Sequence, residues 1–235
     1  MGNCFRVSQG INYSINREIS FSNHHGHGHG HMRNRSFSSS LFYPTNYRSA
    51  GILFHLSSHH ILGGYHTNKP VDSARGITGV GGKKNASDPS PLYCAWRETF
   101  EELLGITPAN IPVFYDLIKQ YPPRYFHAVG SVGGGGGGGV HMLFEYNIAT
   151  LFAVMNEYAQ YQAKSFTSIY YTKMPRTVNE LIFERKHVHN AEIITLCALP
   201  LPSPGIPVAS TMKILPELLQ DISFVQSAHS IPVRK

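Results

Sequence analysis

Residues 90–105 leave the chain little freedom. Ser90 followed by Pro91 is a helix start, with a side-chain oxygen for the first turn and a proline at the first helical position. Leu92–Leu104 continues the helix, and Gly105 supplies the residue that ends one. At about 100° per residue, Leu92, Tyr93, Trp96, Phe100, Leu103 and Leu104 fall on one face. Glu98, Glu101 and Glu102, at i, i+3 and i+4, share the other. Such a helix must bury its first face against another layer, which leaves three carboxylates concentrated on the open side.

Like charges at that spacing repel. The cost is small in water and grows with burial. A divalent cation reverses its sign, and hard cations such as Mg²⁺ and Mn²⁺ take carboxylate oxygens. Upstream lies Gly81-Gly82-Lys83-Lys84, where a glycine turn lets backbone approach a metal or a phosphate closely. These parts suit hydrolysis of a phosphoanhydride, in which a metal neutralises phosphate oxygens and activates water. Adjacent acids on a solvated helix face give the same pattern, so geometry alone leaves both readings open.

The segment Gly81–Gly105, GGKKNASDPSPLYCAWRETFEELLG, resembles the Nudix box, G-x5-E-x7-R-E-U-x-E-E-x-G-U with U a bulky apolar residue. Arg97-Glu98-Thr99-Phe100-Glu101-Glu102 matches R-E-U-x-E-E in spacing, with Thr99 in the apolar place, and Gly82 matches the first glycine. The departures are three. Asp88 stands for the family's first glutamate, one residue is added between Asp88 and Arg97, and Leu104 makes Gly105 one place late. The additions lie at the edges of the helix, where a loop or cap can absorb them.

By that resemblance the fold is α/β, an α/β/α sandwich around a mixed sheet. The resemblance implies Glu98, Glu101 and Glu102 as ligands of Mg²⁺ or Mn²⁺, with Glu98 also able to activate water and a carbonyl of Gly81 or Gly82 as a further ligand. Arg97 would orient a glutamate, and Asp88 would be a supporting acid near the helix start. Glu192, in the late run NAEIITLCALPLP, is the candidate base or extra ligand. Lys83 and Lys84 are candidates to meet substrate phosphates. The implied enzyme is a metal-dependent pyrophosphohydrolase that cleaves a nucleoside diphosphate linked to another group. Water would strike a phosphorus and release a nucleotide.

Elsewhere the sequence divides into an arm, a domain and a tail. Residues 1–47 are rich in Ser, Asn, Gly, His and Arg, with an alternating His-Gly tract at His24–His31, and read as a disordered low-complexity arm. Met1-Gly2-Asn3-Cys4 resembles an acylation start, but Arg6 stands where Ser or Thr is wanted. The net charge is +6, and residues 1–50 hold five arginines against one glutamate. A basic arm of this kind is able to hold nucleic acid through its phosphates. The Nudix domain is expected over 48–225, with a tail at 226–235. Gly133–Gly139, seven consecutive glycines, reads as a flexible loop, and no Lys-Ser or Lys-Thr follows to make it a phosphate loop.

Within the domain, Gly51–Leu56 and His60–Tyr65 read as a hairpin. Ile111–Gln120 and Leu151–Gln162 read as helices, and Val140–Ile148, Ser168–Tyr171 and Ile193–Leu199 as strands. Thr211–Val225 reads as a closing helix limited or kinked by Pro216. Three scattered cysteines give neither a disulfide framework nor zinc spacing, and no apolar run is long enough to span a bilayer. The expected setting is cytoplasmic and reducing.

The long arm and the residues added after the box favour a substrate larger than a free nucleotide, either capped mRNA or another nucleotide derivative. With its polyglycine run, the whole chain is similar to the divergent Nudix proteins of large DNA viruses. The rival is a catalytically inactive Nudix module that binds a nucleotide, RNA or a protein. A third reading is an unrelated scaffold, in which the glutamates would splay apart or lack a Gly81–Lys83 loop beside them.

Overall fold

The computed structural model describes residues 43–66, 76–129, 140–161, 166–201 and 213–229. The arm up to residue 42, the polyglycine run and residues 230–235 lie outside these. The elements in chain order are β1 (Tyr47–Ser57), β2 (His60–His66), β3 (Gly76–Thr78), β4 (Val80–Lys83), α1 (Pro91–Thr99) with a π-helical turn at Phe100–Leu104, α2 (Ile111–Lys119), β5 (Tyr125–Val129), β6 (Val140–Asn147), α3 (Ile148–Tyr161), α4 (Val178–Phe183), β7 (Ile193–Pro200) and α5 (Pro216–His229).

The seven strands form one sheet in the order β3-β2-β1-β6-β5, with β4 also paired to β1 and β7 to β2. β1 is the centre. Its stretch Ala50–Phe54 is buried on both faces, as the unbroken apolar run of a covered strand requires. It runs parallel to β6 and antiparallel to β2 and β4. Near its end β1 pairs with β2 at His55 and Ser57, while β4 takes the same edge over Ser49–Ile52. β2 thus diverges from β1, and β4 fills the opening.

Helices cover both faces, so the expected α/β/α sandwich around a mixed sheet is the architecture found. On one face Trp96 sits edge-on to Phe54 at 5.8 Å and to Tyr146 at 5.2 Å. Phe100 packs against Phe114 at 4.9 Å and Tyr158 at 5.0 Å, which joins α1 to α2 and α3. Edge-to-face geometry suits the ring quadrupoles. On the other face Leu53, Ile61, Leu143 and Leu199 pack beneath Leu218, Ile222 and Val225 of α5. Also buried is Glu145 of β6. His55 Nε2 lies 2.9 Å from one of its oxygens and His127 Nε2 2.6 Å from the other, which ties β1 and β5 to β6.

Three sequence expectations need correction. Ser168–Tyr171 is no strand, because Ser168 Oγ accepts hydrogen bonds from the backbone N–H groups of Tyr170 and Tyr171 and closes a turn there. Pro216 does not kink a helix; it begins one, at a position where its missing N–H has no partner to lose. That helix runs on to His229, into the stretch read as tail. β3, β4, β5 and α4 went unforeseen. No described helix is long and apolar enough to cross a membrane.

Trp96 is fully buried at the junction of α1 and the sheet. Trp96→Ala is expected to cost about 3–5 kcal/mol, read as a lowered urea midpoint with an unchanged slope.

Candidate active site

The helix over residues 90–105 forms as its sequence dictates. Ser90 Oγ accepts the Tyr93 N–H at 3.1 Å, and Pro91 occupies the first turn. Its last turn is wider. Phe100–Leu104 is π-helical and closes on Gly105 at φ 65°, a left-handed conformation that suits glycine. The residue that makes Gly105 one place late is taken up in that turn. The residue added before Arg97 falls in the non-helical stretch from Asp88 to Ser90.

Arg97 is the hub. Its Nε and Nη2 donate to the two oxygens of Asp88 at 2.9 and 3.0 Å, and Nη2 also donates to the Lys83 carbonyl at 3.0 Å. Nη1 donates to Glu101 at 2.8 Å, and Nη2 lies 2.9 Å from Glu98. Burial alone would lower the guanidinium's pKa, but the hydrogen bond to Asp88 and the charges of Glu98, Asp88 and Glu101 outweigh it and raise the value. Asp88 itself accepts the Asn85 N–H at 2.7 Å, which folds the stretch after β4 back onto the helix.

Glycines carry the other side. A Cβ on Gly82 would stand 2.3 Å from the Glu98 carboxyl carbon, so only glycine lets that carboxylate lie against the turn. The Gly81 N–H donates to Glu102 at 2.9 Å. Glu192, just before β7, has an oxygen 3.1 Å from Nε2 of buried His66 on β2.

Glu98, Glu102, Glu192, Gly81, Gly82 and Lys83 all line a cavity of about 720 Å³, which reaches across the α5 face of the sheet to Glu217 and Asp221. Glu101 is not among its lining residues and is held at Arg97 instead. Lys84 is engaged elsewhere, with its ammonium 4.5 Å from the centre of the Tyr47 ring and a hydrogen bond to the Thr45 carbonyl. Among the described residues no three His, Cys, Asp or Glu side chains form a ready-made metal cage.

The carboxylates are unevenly balanced. Burial raises the pKa of Glu98; Arg97 opposes the rise, and Glu101 and Glu192 add to it. Burial lifts Glu102 well above its ordinary value, against the Gly81 N–H, and the charges of Glu192 and Glu98 push it further. Glu102 has no ion-pair partner among those found in the described residues. A divalent cation fits this donor set, because it would relieve the repulsion that the protein leaves in place.

Sequence reasoning missed His66, Arg185 and the α5 acids. Arg185 donates to the carbonyls of Glu102, Leu103 and Ile193 and lies 3.8 Å from the centre of the Tyr170 ring. It therefore fixes the end of the box helix to the strand that follows Glu192. A lone arginine 82 residues downstream of its partner Leu103 carries no local signal.

No protein-family profile matches the chain, and no curated protein matches it. Among solved structures it is similar to a Nudix hydrolase from M. smegmatis, RenU, at 12% identity over 80% of this chain and 88% of that one, with a TM-score of 0.40. It is also similar to the Nudix domain of Shewanella oneidensis NrtR, solved with ADP-ribose, at 12% identity over 80% of this chain and 91% of that one, with a TM-score of 0.37.

The raised acids give a signed expectation. With no cation bound, Glu102 holds its proton more tightly folded than unfolded. Stability is therefore lost as pH rises from the ordinary 4.5 through the folded value. A cation that binds the ionised pair works the other way. Mn²⁺ or Mg²⁺ should raise Tm little near pH 5 and progressively more towards pH 8, with the increment largely absent in Glu102→Gln. A pH-independent increment in differential scanning fluorimetry would place the cation elsewhere.

Proposed function

We propose that this chain is a Nudix-type pyrophosphohydrolase that cleaves the phosphoanhydride of a nucleoside diphosphate linked to another group. One observation carries the reading. Half-buried Glu98 and buried Glu102 lie against the Gly81–Gly82 turn in the lining of a cavity, and no ion-pair partner of the Glu102 carboxylate is found among the described residues. The sequence resemblance supplies the family; the geometry supports it through parts that lie far from one another in the pattern.

Glu98, Glu102 and a glycine carbonyl of the turn would hold Mg²⁺ or Mn²⁺, with Glu192 close enough for its charge to be felt by both acids. When bound, such a cation neutralises diphosphate oxygens and lowers the pKa of water. The protein does the rest. Lys83 faces the cavity and meets phosphate charge. Arg97 keeps Glu98 in place, a positioning role, and occupies Glu101. Water adds to one phosphorus and the bridging P–O bond breaks. The proton from the water goes to a cavity carboxylate, Glu98 or Glu192, and the nucleotide leaves with the bond's electron pair.

The inactive-module reading drew its strength from Asp88 and the two added residues. Asp88 nonetheless meets Arg97 with both oxygens, and the helix end absorbs the second addition. Both features favour the enzyme. The unrelated-scaffold reading called for glutamates splayed apart or no Gly81–Lys83 loop beside them; Glu98 and Glu102 lie against that loop, which weighs against it, while Glu101 turns to Arg97. For the linked group, the basic arm favours capped mRNA over a small leaving group.

The test is incubation of the full chain with Mg²⁺ or Mn²⁺ and dinucleoside polyphosphates, nucleotide sugars, nucleoside triphosphates and capped RNA. Metal-dependent release of a nucleotide is expected, and ¹⁸O-labelled water will show which phosphorus is attacked. Glu98→Gln should lower kcat about a hundredfold or more while leaving Tm within the range of the parent. Gly82→Ala should do the same by displacing the Glu98 carboxylate. A folded protein that binds these compounds and turns none over would establish the binding module instead.

A further inference from the structure

Side chains from three strands form one row at the glycine-turn end of the cavity. Strand register pairs Ser49 of β1 with Lys83 of β4 on one side and with His141 of β6 on the other. All three line the cavity, and each step across the sheet is about 5 Å. Two residues further along β1, Gly51 faces Gly81. A Cβ on Gly51 would stand 2.7 Å from the Val80 carbonyl oxygen, so the backbone there is bare. The imidazole of His141 uses the room, with Cε1 3.5 Å from the place that the absent Cβ would take.

Ser49 Oγ lies 2.8 Å from His141 Nδ1, the one partner found for that hydroxyl among the described residues. The hydroxyl is satisfied when it donates and Nδ1 accepts. A neutral imidazole carries a single N–H, and with Nδ1 accepting it sits on Nε2. Burial lowers the pKa of the ring, which keeps it neutral at pH 7. No partner for Nε2 is found among the described residues, and the atom is not shut away from solvent. A donor of fixed direction therefore opens on the cavity, and it brings no second charge to bury beside Lys83.

We propose that His141 is a diphosphate-binding residue which, with its tautomer set by Ser49, donates its Nε2–H to a non-bridging phosphate oxygen of the substrate beside the charge of Lys83. This role rests on reading the cavity as a pyrophosphohydrolase site. The two donors do different work. Lys83 supplies attraction from a flexible stem, which fixes no direction. His141 supplies direction, because its ring is held at Nδ1 and packed over Gly51, and a hydrogen bond to an ionised oxygen is about twice as strong as one between neutral groups. Ser49 is a positioning residue, since it acts through the ring. The pairing of β1 with β6 does the aiming, by setting the hydroxyl directly across from the imidazole.

The test is calorimetric binding of methylenediphosphonate, a diphosphate whose bridge cannot be hydrolysed, to the full chain with Mg²⁺, alongside long-range ¹H–¹⁵N spectra of the histidine rings. His141→Ala should weaken binding about 10- to 150-fold, the worth of one hydrogen bond to a charged group. His141→Gln returns an amide N–H near the place of Nε2 and should recover most of the loss. His141→Asn is too short to reach and should not. Ser49→Ala should weaken binding less than His141→Ala, and should turn a single Nε2–H tautomer into a mixture. The ring signal absent from His141→Gln identifies His141, and its Nε2 resonance should move when methylenediphosphonate is added. Melting curves report the folding of each variant, and if His141→Ala fails to fold, the Gln and Asn variants carry the comparison. Equal binding by the parent and His141→Ala, a loss that Gln and Asn share alike, or a ring protonated on Nδ1 overturns this inference. So does a parent that ignores the diphosphate yet releases a nucleotide from the substrate panel, and the pyrophosphohydrolase reading then stands. Neither binding nor release overturns both.

Discussion

The site depends on one buried guanidinium. Arg97 has a side chain only 7% exposed, and taking such a charge out of water costs several kcal/mol unless its donors are met. Asp88 takes two of its N–H groups in a fork, Nη1 donates to Glu101, and Nη2 also lies within reach of the Lys83 carbonyl and Glu98. Three separate pieces of chain therefore have to meet: the end of β4, the stretch that caps the helix, and the helix itself. Bidentate geometry makes the meeting specific as well as strong. Once it is made, Arg97 holds both Glu101 and Glu98, and Glu98 also lies against the Gly82 turn, where a glycine leaves room for it. Lysine at this position could not hold the same partners in one plane.

The opposite end of the helix is fixed by groups from far along the chain. Gly105 turns the backbone out of the π-helical turn, Ser168 donates to the Leu104 carbonyl, and Arg185 donates to the carbonyls of Glu102 and Leu103. The last carbonyls of a helix carry partial negative charge, so a guanidinium there is favourable twice over. Because Arg185 also bonds Ile193, the residue after Glu192, it joins Glu102 to Glu192 through backbone. Two carboxylates that repel are held near each other by a cation that touches neither of them, and it lies outside the cavity lining.

Legibility in the sequence follows locality. The box helix could be read because its cap, proline, apolar stripe and terminal glycine all lie within sixteen residues, and the β1–β2 hairpin and β6 for the same kind of reason. Tyr125–Val129 has no alternation of its own and becomes a strand only because β6 offers a partner along Glu145–His141. Ser168–Tyr171 looked extended by composition, yet a single hydroxyl captured its N–H groups. At the site, the acids of the helix were legible, whereas the division among them was not. Helical spacing puts Glu98, Glu101 and Glu102 on one face, but it cannot say that Arg97 pairs with Glu98 and Glu101 while only Glu98 and Glu102 reach the glycine turn and the cavity. His66, Arg185 and Asp221 are single residues contributed by other elements, and no local pattern marks them. The two residues added to the pattern fall, as their place at the helix edges suggested, where the chain is not bound to α-helical geometry.

What the fold leaves unbalanced is as informative as what it satisfies. A domain built for stability alone would not keep Glu102 buried beside Glu98 and Glu192, nor Asp221 beside Glu217, because each arrangement raises the energy of the ionised protein. The aromatic cluster around Trp96 and the apolar face beneath α5 supply the stability that tolerates both. Both strained acids line one cavity, at its two ends, and nothing in the packing requires either of them to be ionisable. Their chemistry differs with their surroundings. The pair at the glycine turn sits beside the Gly81 N–H and, with Lys83, in the lining of the cavity. The pair on α5 sits beside leucine and valine in the lining of the same cavity.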